Sequence, residues 1–142
     1  MGLAGPTAPS SGAEHVISHY LDMTHFAWGE PHDLHGCQVG VATVTVAALY
    51  ERLQALSPAA IDPDARAAGQ LDWDAYSQLV RQRFGVLTEA VLPTAQRAHP
   101  TPAQLRERLH YLKRHWEEVM ADVGATLRPA ASLSAQLRQA DC

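Results

Sequence analysis

At 142 residues the chain is about the length of one domain, and 46% hydrophobic against 18% charged residues marks it as globular rather than disordered. A net charge of -4, with eleven Lys and Arg scattered along the chain, excludes the basic footprint of a nucleic-acid binder and offers nothing to an anionic membrane surface. No apolar run approaches the roughly 20 residues of a membrane span, and two cysteines are too few for a disulfide framework.

The first twelve residues, "MGLAGPTAPSSG", read as a loop that lacks the basic start and apolar run of a signal peptide. A cytoplasmic protein without membrane insertion is the expectation. Ser10, Ser11 and Gly12 then occupy the place of a helix N-cap, with Glu14 at the positive end of the macrodipole. A helix is predicted from about Ala13 to His25, with Val16, Tyr20 and Met23 at helical spacing and Ile17 on the flank. Gly29 and Pro31 break it. The next segment, "QVGVATVTVAALYERLQAL", alternates like a strand at Val39, Val41 and Thr43, but its length and its helix-forming end favour one long buried helix closed by Ser57 and Pro58.

Residues 58–72 read as a linker. Asp72 is a candidate N-cap for a helix through "WDAYSQLVRQRFG", and a further helix is expected to kink or end at Pro93. The clearest helix follows, with Thr101 as N-cap, Pro102 at N1, a stripe of Leu105, Leu109, Leu112, Trp116 and Val119, and Gly124 past its end. A short helix begins near Ser132. These elements predict an all-α bundle of roughly five helices.

Three histidines invite a chemical reading. On a helix His15 and His19 lie one turn apart on one face, and His35 with Gly36 opens the following helix. Neutral imidazoles in that pattern suit zinc and other borderline metals. The same His-x3-His spacing also recurs by chance in a chain with eight histidines. His25, His32, His99, His110 and His115 read as surface or capping residues, Cys37 as a small buried side chain, and Trp28, Trp73 and Trp116 as packing anchors. Gly36 and Gly40, four apart, mark a candidate close helix contact. There is no G-x-G-x-x-G and no P-loop from which a nucleotide site could be argued.

Taken as a string, "SGAEHVISHYLDM", then "LHGCQVGVATV" and "YERL", resembles the C-terminal domain of the sn-glycerol-1-phosphate dehydrogenase family. That family belongs to the iron-containing alcohol dehydrogenase, glycerol dehydrogenase and dehydroquinate synthase superfamily. The lead-in "GLAGPTAPSSGAEH" and the late "SLSAQLRQADC" resemble it as well, the specific part being residues 10–44. The resemblance implies that residues 1–142 form one α-helical domain that binds a divalent metal (zinc, alternatively nickel or iron) and faces a small phosphorylated polyol. His15 and His35 fall on metal-ligand positions, and His19 on the position that meets substrate and handles a proton. The reaction implied interconverts dihydroxyacetone phosphate and glycerol 1-phosphate with NAD or NADP, as a step of phospholipid synthesis.

Three departures accompany the resemblance. The third ligand, an Asp, and the N-terminal Rossmann-like domain that binds NAD(P) would both lie before Met1, and Cys37 stands where the family usually has an acidic residue after "HG". The chain is therefore expected to be a fragment or a separately encoded half, inactive alone, partnered by a nucleotide-binding half and homo-oligomeric when full length. Two other readings stay open: dehydroquinate synthase-like or other polyol chemistry on the same domain, and an inactive helical interaction module.

Overall fold

Helix α1 (Ala13–Trp28) starts at Gly12, whose backbone N–H donates to Glu14 Oε1 at 2.9 Å, so the acidic residue of the first turn satisfies an otherwise orphaned donor. It ends at Gly29, which adopts φ 68° and returns its N–H to His25 O at 2.8 Å, a left-handed cap that a residue with a Cβ resists. The computed structural model describes residues 12–140. The expected N-terminal loop, with Ser10 and Ser11, and Cys142 lie outside them.

Helix α2 (His35–Gln54) resolves the strand-or-helix ambiguity. Its β-branched run is accommodated because Thr43 Oγ1 donates to Val39 O at 2.7 Å and Thr45 Oγ1 to Val41 O at 3.1 Å, the back-bonding open to threonine inside a helix. Six further helices follow: α3 (Pro63–Ala68), α4 (Trp73–Phe84), α5 (Thr88–Ala98), α6 (Pro102–Arg114), α7 (Trp116–Thr126) and α8 (Ala130–Gln139). Among the described residues there is no strand, and the all-α expectation holds. No described helix is long and apolar enough to cross a membrane.

The chain divides into two compact units, one of residues 12–55 with 123–140 and one of residues 56–122. In the first, α2 packs against both α1 and α8. Its buried residues are small or polar: Ser18 and Thr24 from α1, Gln38, Ala42 and Ala47 from α2, and Ala130 from α8. Small side chains let the helices approach closely. A Cβ placed on Gly40 would lie 2.6 Å from Leu137 Cδ2, so the expected close contact is made at Gly40, whereas Gly36 meets nothing within 4 Å. Helix α8 borrows its cap from α2, since Ala130 N–H donates to Glu51 Oε1 at 2.8 Å.

In the second unit α3 packs on α6 and α4 on α5. Two caps stand as the sequence implies: Asp72 accepts from Ala75 N–H at 2.8 Å, and Thr101 with Gln104 forms a complete capping box. The span read as a linker holds α3, capped by Asp62 through the amides of Asp64 and Ala65. Of the two alternatives at Pro93 the ending is ruled out, since α5 runs on to Ala98. One other expectation is corrected: Gly124 lies inside α7, because the long helix predicted after Thr101 breaks at His115 instead. Trp116 is buried and Trp73 half-buried, as packing anchors should be, but Trp28 is exposed.

Candidate functional site

The packing of α1 on α2 brings the three singled-out histidines together. His15 and His35 have ring centroids 5.7 Å apart, and His19 and His35 6.4 Å apart. His15 and His19 lie one turn apart near the start of α1, and His35, the first residue of α2, lies against them.

Each ring has a distinct setting. His15 Nδ1 lies 2.9 Å from Glu14 Oε1, and because an ionised carboxylate only accepts, Nδ1 carries a proton, so that in the neutral ring the lone pair is on Nε2. Glu14 is held below the usual glutamate range, first by the hydrogen bond from His15 and then by its own backbone N–H and that of Gly12. A carboxyl whose folded pKa is depressed adds stability above its unfolded pKa and loses it as pH falls through the lowered folded value. We therefore expect a carbon-detected NMR titration of the metal-free chain to place the Glu14 midpoint below the ordinary glutamate range. A midpoint at the ordinary value would show that the His15 contact is not populated in solution.

His35 Nδ1 lies 3.2 Å from Ser18 Oγ, and Ser18 in turn donates to Gln38 Oε1 at 3.1 Å. Ser18 is fully buried and Gln38 nearly so, at 0% and 5% exposure. His19 is different: its side chain is 68% exposed, with Asp22 Oδ2 3.9 Å from Nδ1. Asp22 is shared with His32, whose Nε2 lies 3.3 Å from Oδ1. Cys37 is half-buried and is not a free thiol.

The remaining histidines hold structural positions. His25 Nδ1 meets Glu30 O at 2.7 Å across the end of α1. His99 and His115 are the C-cap residues of α5 and α6, and His99 Nε2 also reaches Leu71 O at 2.9 Å. His110 stands 3.8 Å from Asp64.

Among the described residues no three His, Cys, Asp or Glu side chains converge as a complete metal cage. The spacing of His15 and His35 nevertheless agrees with that of two ligands of one ion. Two imidazoles that share a metal through one nitrogen each, at about 2.0–2.1 Å, bring their ring centres to about 5–6 Å, and His15 and His35 stand 5.7 Å apart. The residues that sequence reasoning passed over are Ser18 and Gln38. Each lies three positions after a candidate ligand, His15 and His35 respectively, and that spacing is the one trace of them in the sequence.

No family model and no solved structure matches the chain. Several curated proteins do, over a limited stretch. A glycerol-1-phosphate dehydrogenase, NAD(P)+, of Halalkalibacterium halodurans is 45% identical over 51 residues, 36% of this chain and 13% of that protein. Proteins of the same name from Caldivirga maquilingensis and Halorubrum lacusprofundi are 40% and 50% identical over 50 residues, 35% of this chain and 14% and 13% of theirs. The likeness thus takes in about a third of this chain and a small part of each relative. It is consistent with a fragment of that family's C-terminal region.

Proposed function

We propose that this chain is the metal-binding, substrate-facing helical part of an NAD(P)-dependent glycerol-1-phosphate dehydrogenase-like oxidoreductase. In that reading it interconverts dihydroxyacetone phosphate and glycerol 1-phosphate once the nucleotide-binding part is supplied, in the cytoplasm and as a step of lipid metabolism. The observation that carries the proposal is the convergence of His15, His19 and His35 at one end of the α1–α2 pair, in a chain whose relatives bear that enzyme's name.

His15 and His35 would hold the divalent ion, zinc or alternatively nickel or iron, with a carboxylate supplied from outside the described residues completing three protein ligands. When bound, the ion supplies Lewis-acid polarisation of the substrate's C2 oxygen, and the nicotinamide supplies or accepts the hydride. His19, one turn from His15 and open to solvent, gives a proton to the C2 oxygen as the carbonyl is reduced and takes it back in the reverse direction. Asp22 Oδ2 lies 3.9 Å from His19 Nδ1, beside the proposed proton donor. His32 competes for the same carboxylate. The helices contribute placement, holding the rings a few ångströms apart so that substrate meets ion and proton donor together.

The deciding experiment joins the chain to a nucleotide-binding half, in one longer polypeptide or as two chains. Dihydroxyacetone phosphate should then drive oxidation of NADH or NADPH, and the rate should vanish with a chelator and return with zinc or nickel. A flat trace in the presence of both metals overturns the proposal.

A further inference from the structure

We infer that Ser18 and Gln38 are positioning residues that set the tautomer of His35, committing its Nε2 lone pair outward for a metal ion. The inference rests on the proposed role of His35 as a ligand, and its physical basis is a proton count. A serine hydroxyl has one proton to give. Ser18 gives it to Gln38 Oε1 at 3.1 Å, so its oxygen can only accept from His35, 3.2 Å away. The ring proton of neutral His35 must then sit on Nδ1. Which imidazole nitrogen can bind a metal is decided by the hydrogen bond the other makes. The chain Gln38–Ser18–His35 therefore polarises in one direction and leaves Nε2 unprotonated.

Burial makes that direction hold. Ser18 is 0% and Gln38 5% exposed, so water does not compete for the hydroxyl, and a buried polar group left unsatisfied is costly. Both residues are anchored by the packed α1–α2 pair. His15 reaches the same state by a different route, through the Glu14 carboxylate 2.9 Å from its Nδ1. Both rings, when neutral, thus enter the site with the same nitrogen free, by a buried hydroxyl–amide chain in one case and a half-buried carboxylate in the other.

The test uses the full 142-residue chain, labelled with nitrogen-15, metal-free and at pH 8, where unperturbed imidazole is neutral. Long-range proton–nitrogen correlation should show His35 protonated at Nδ1. Ser18→Ala, which deletes one buried oxygen, should shift His35 toward the Nε2-protonated form and weaken zinc(II) binding, read by titration calorimetry, by about 10–100-fold. Ser18→Thr, which keeps the hydroxyl, should restore both.

Gln38→Leu gives the sharper outcome, because the freed Ser18 proton can turn to His35 Nδ1 and drive the ring proton to Nε2. A packing role alone would not reverse the tautomer. Nε2-protonated His35 in the unaltered chain overturns the inference, as does a Ser18→Ala chain with unchanged tautomer. The tautomer decides whatever the zinc affinity proves to be. A reconstituted enzyme that oxidises no cofactor would sink the proposed reaction and leave this result standing.

Discussion

His35→Ala should lower zinc affinity by more than about 100-fold without unfolding the chain. Loss of a partner that merely supports a ligand costs about 10–100-fold, and loss of the ligand itself must exceed that. His35 is exposed at the first turn of α2, and among the described residues its side chain bonds Ser18. The substitution therefore removes no core packing, and circular dichroism and the melting temperature should stay near their original values. His15→Ala should behave alike, with Glu14 losing its partner.

His19→Ala is the contrast. Its ring centre lies 6.4 Å from that of His35 and its side chain is largely in solvent, so zinc binding should survive while turnover of the reconstituted enzyme falls by about 10²–10⁴-fold, the usual worth of a positioned proton donor. Calorimetry on the three variants separates the roles. Equal loss of zinc in all three would make His19 a ligand, and no loss in His35→Ala would remove the metal site altogether.

Much of this arrangement was legible in the sequence, and the parts that were not share a cause. Helix ends were readable where one residue type carries the signal: Gly29 at a left-handed cap, Asp72 and Thr101 as side-chain caps, Pro102 at a first turn. The spacing of His15 and His19 put them on one helix face, the family resemblance joined His35 to them, and the three rings do lie together. Elements decided by tertiary context were not readable. Helix α3 is six residues long and too short for a period, and α5 tolerates Pro93.

The apolar pattern of α1 misleads for a related reason. Val16 and Tyr20 recur at helical spacing yet are exposed, while the helix buries Ser18 and Thr24. A hydroxyl is buried at Ser18 because Gln38 and His35 meet it across the helix pair. That register is a property of two helices packed together and is written in neither alone. The resemblance in residues 10–44 could assign the histidines, but the residues that orient them emerged from the packing.

Trp116→Ala should destabilise the chain by about 3–5 kcal/mol, the cost of truncating a large buried aromatic. Among the described residues the buried apolar set is Ala42, Ala47, Pro63, Ala67, Val80, Trp116 and Ala130, so Trp116 is its one side chain larger than valine. It is 5% exposed and stands at the first position of α7, directly after the break at His115. The stripe of Leu105, Leu109 and Leu112 on α6 continues in register to Trp116 and Val119, all buried or half-buried, so the apolar face survives a break in the helix that carries it. A core assembled largely from alanines has little else to close around the space the indole would leave. Against a typical total of about 5–15 kcal/mol, the loss should lower the thermal midpoint by about 10–15 °C and the urea midpoint in proportion at an unchanged slope. Trp116→Phe, which keeps an aromatic body in the site, should retain most of that stability. A shift of less than about 2 °C for the alanine variant would mean that Trp116 fills space without organising the residues 56–122 unit to which it belongs.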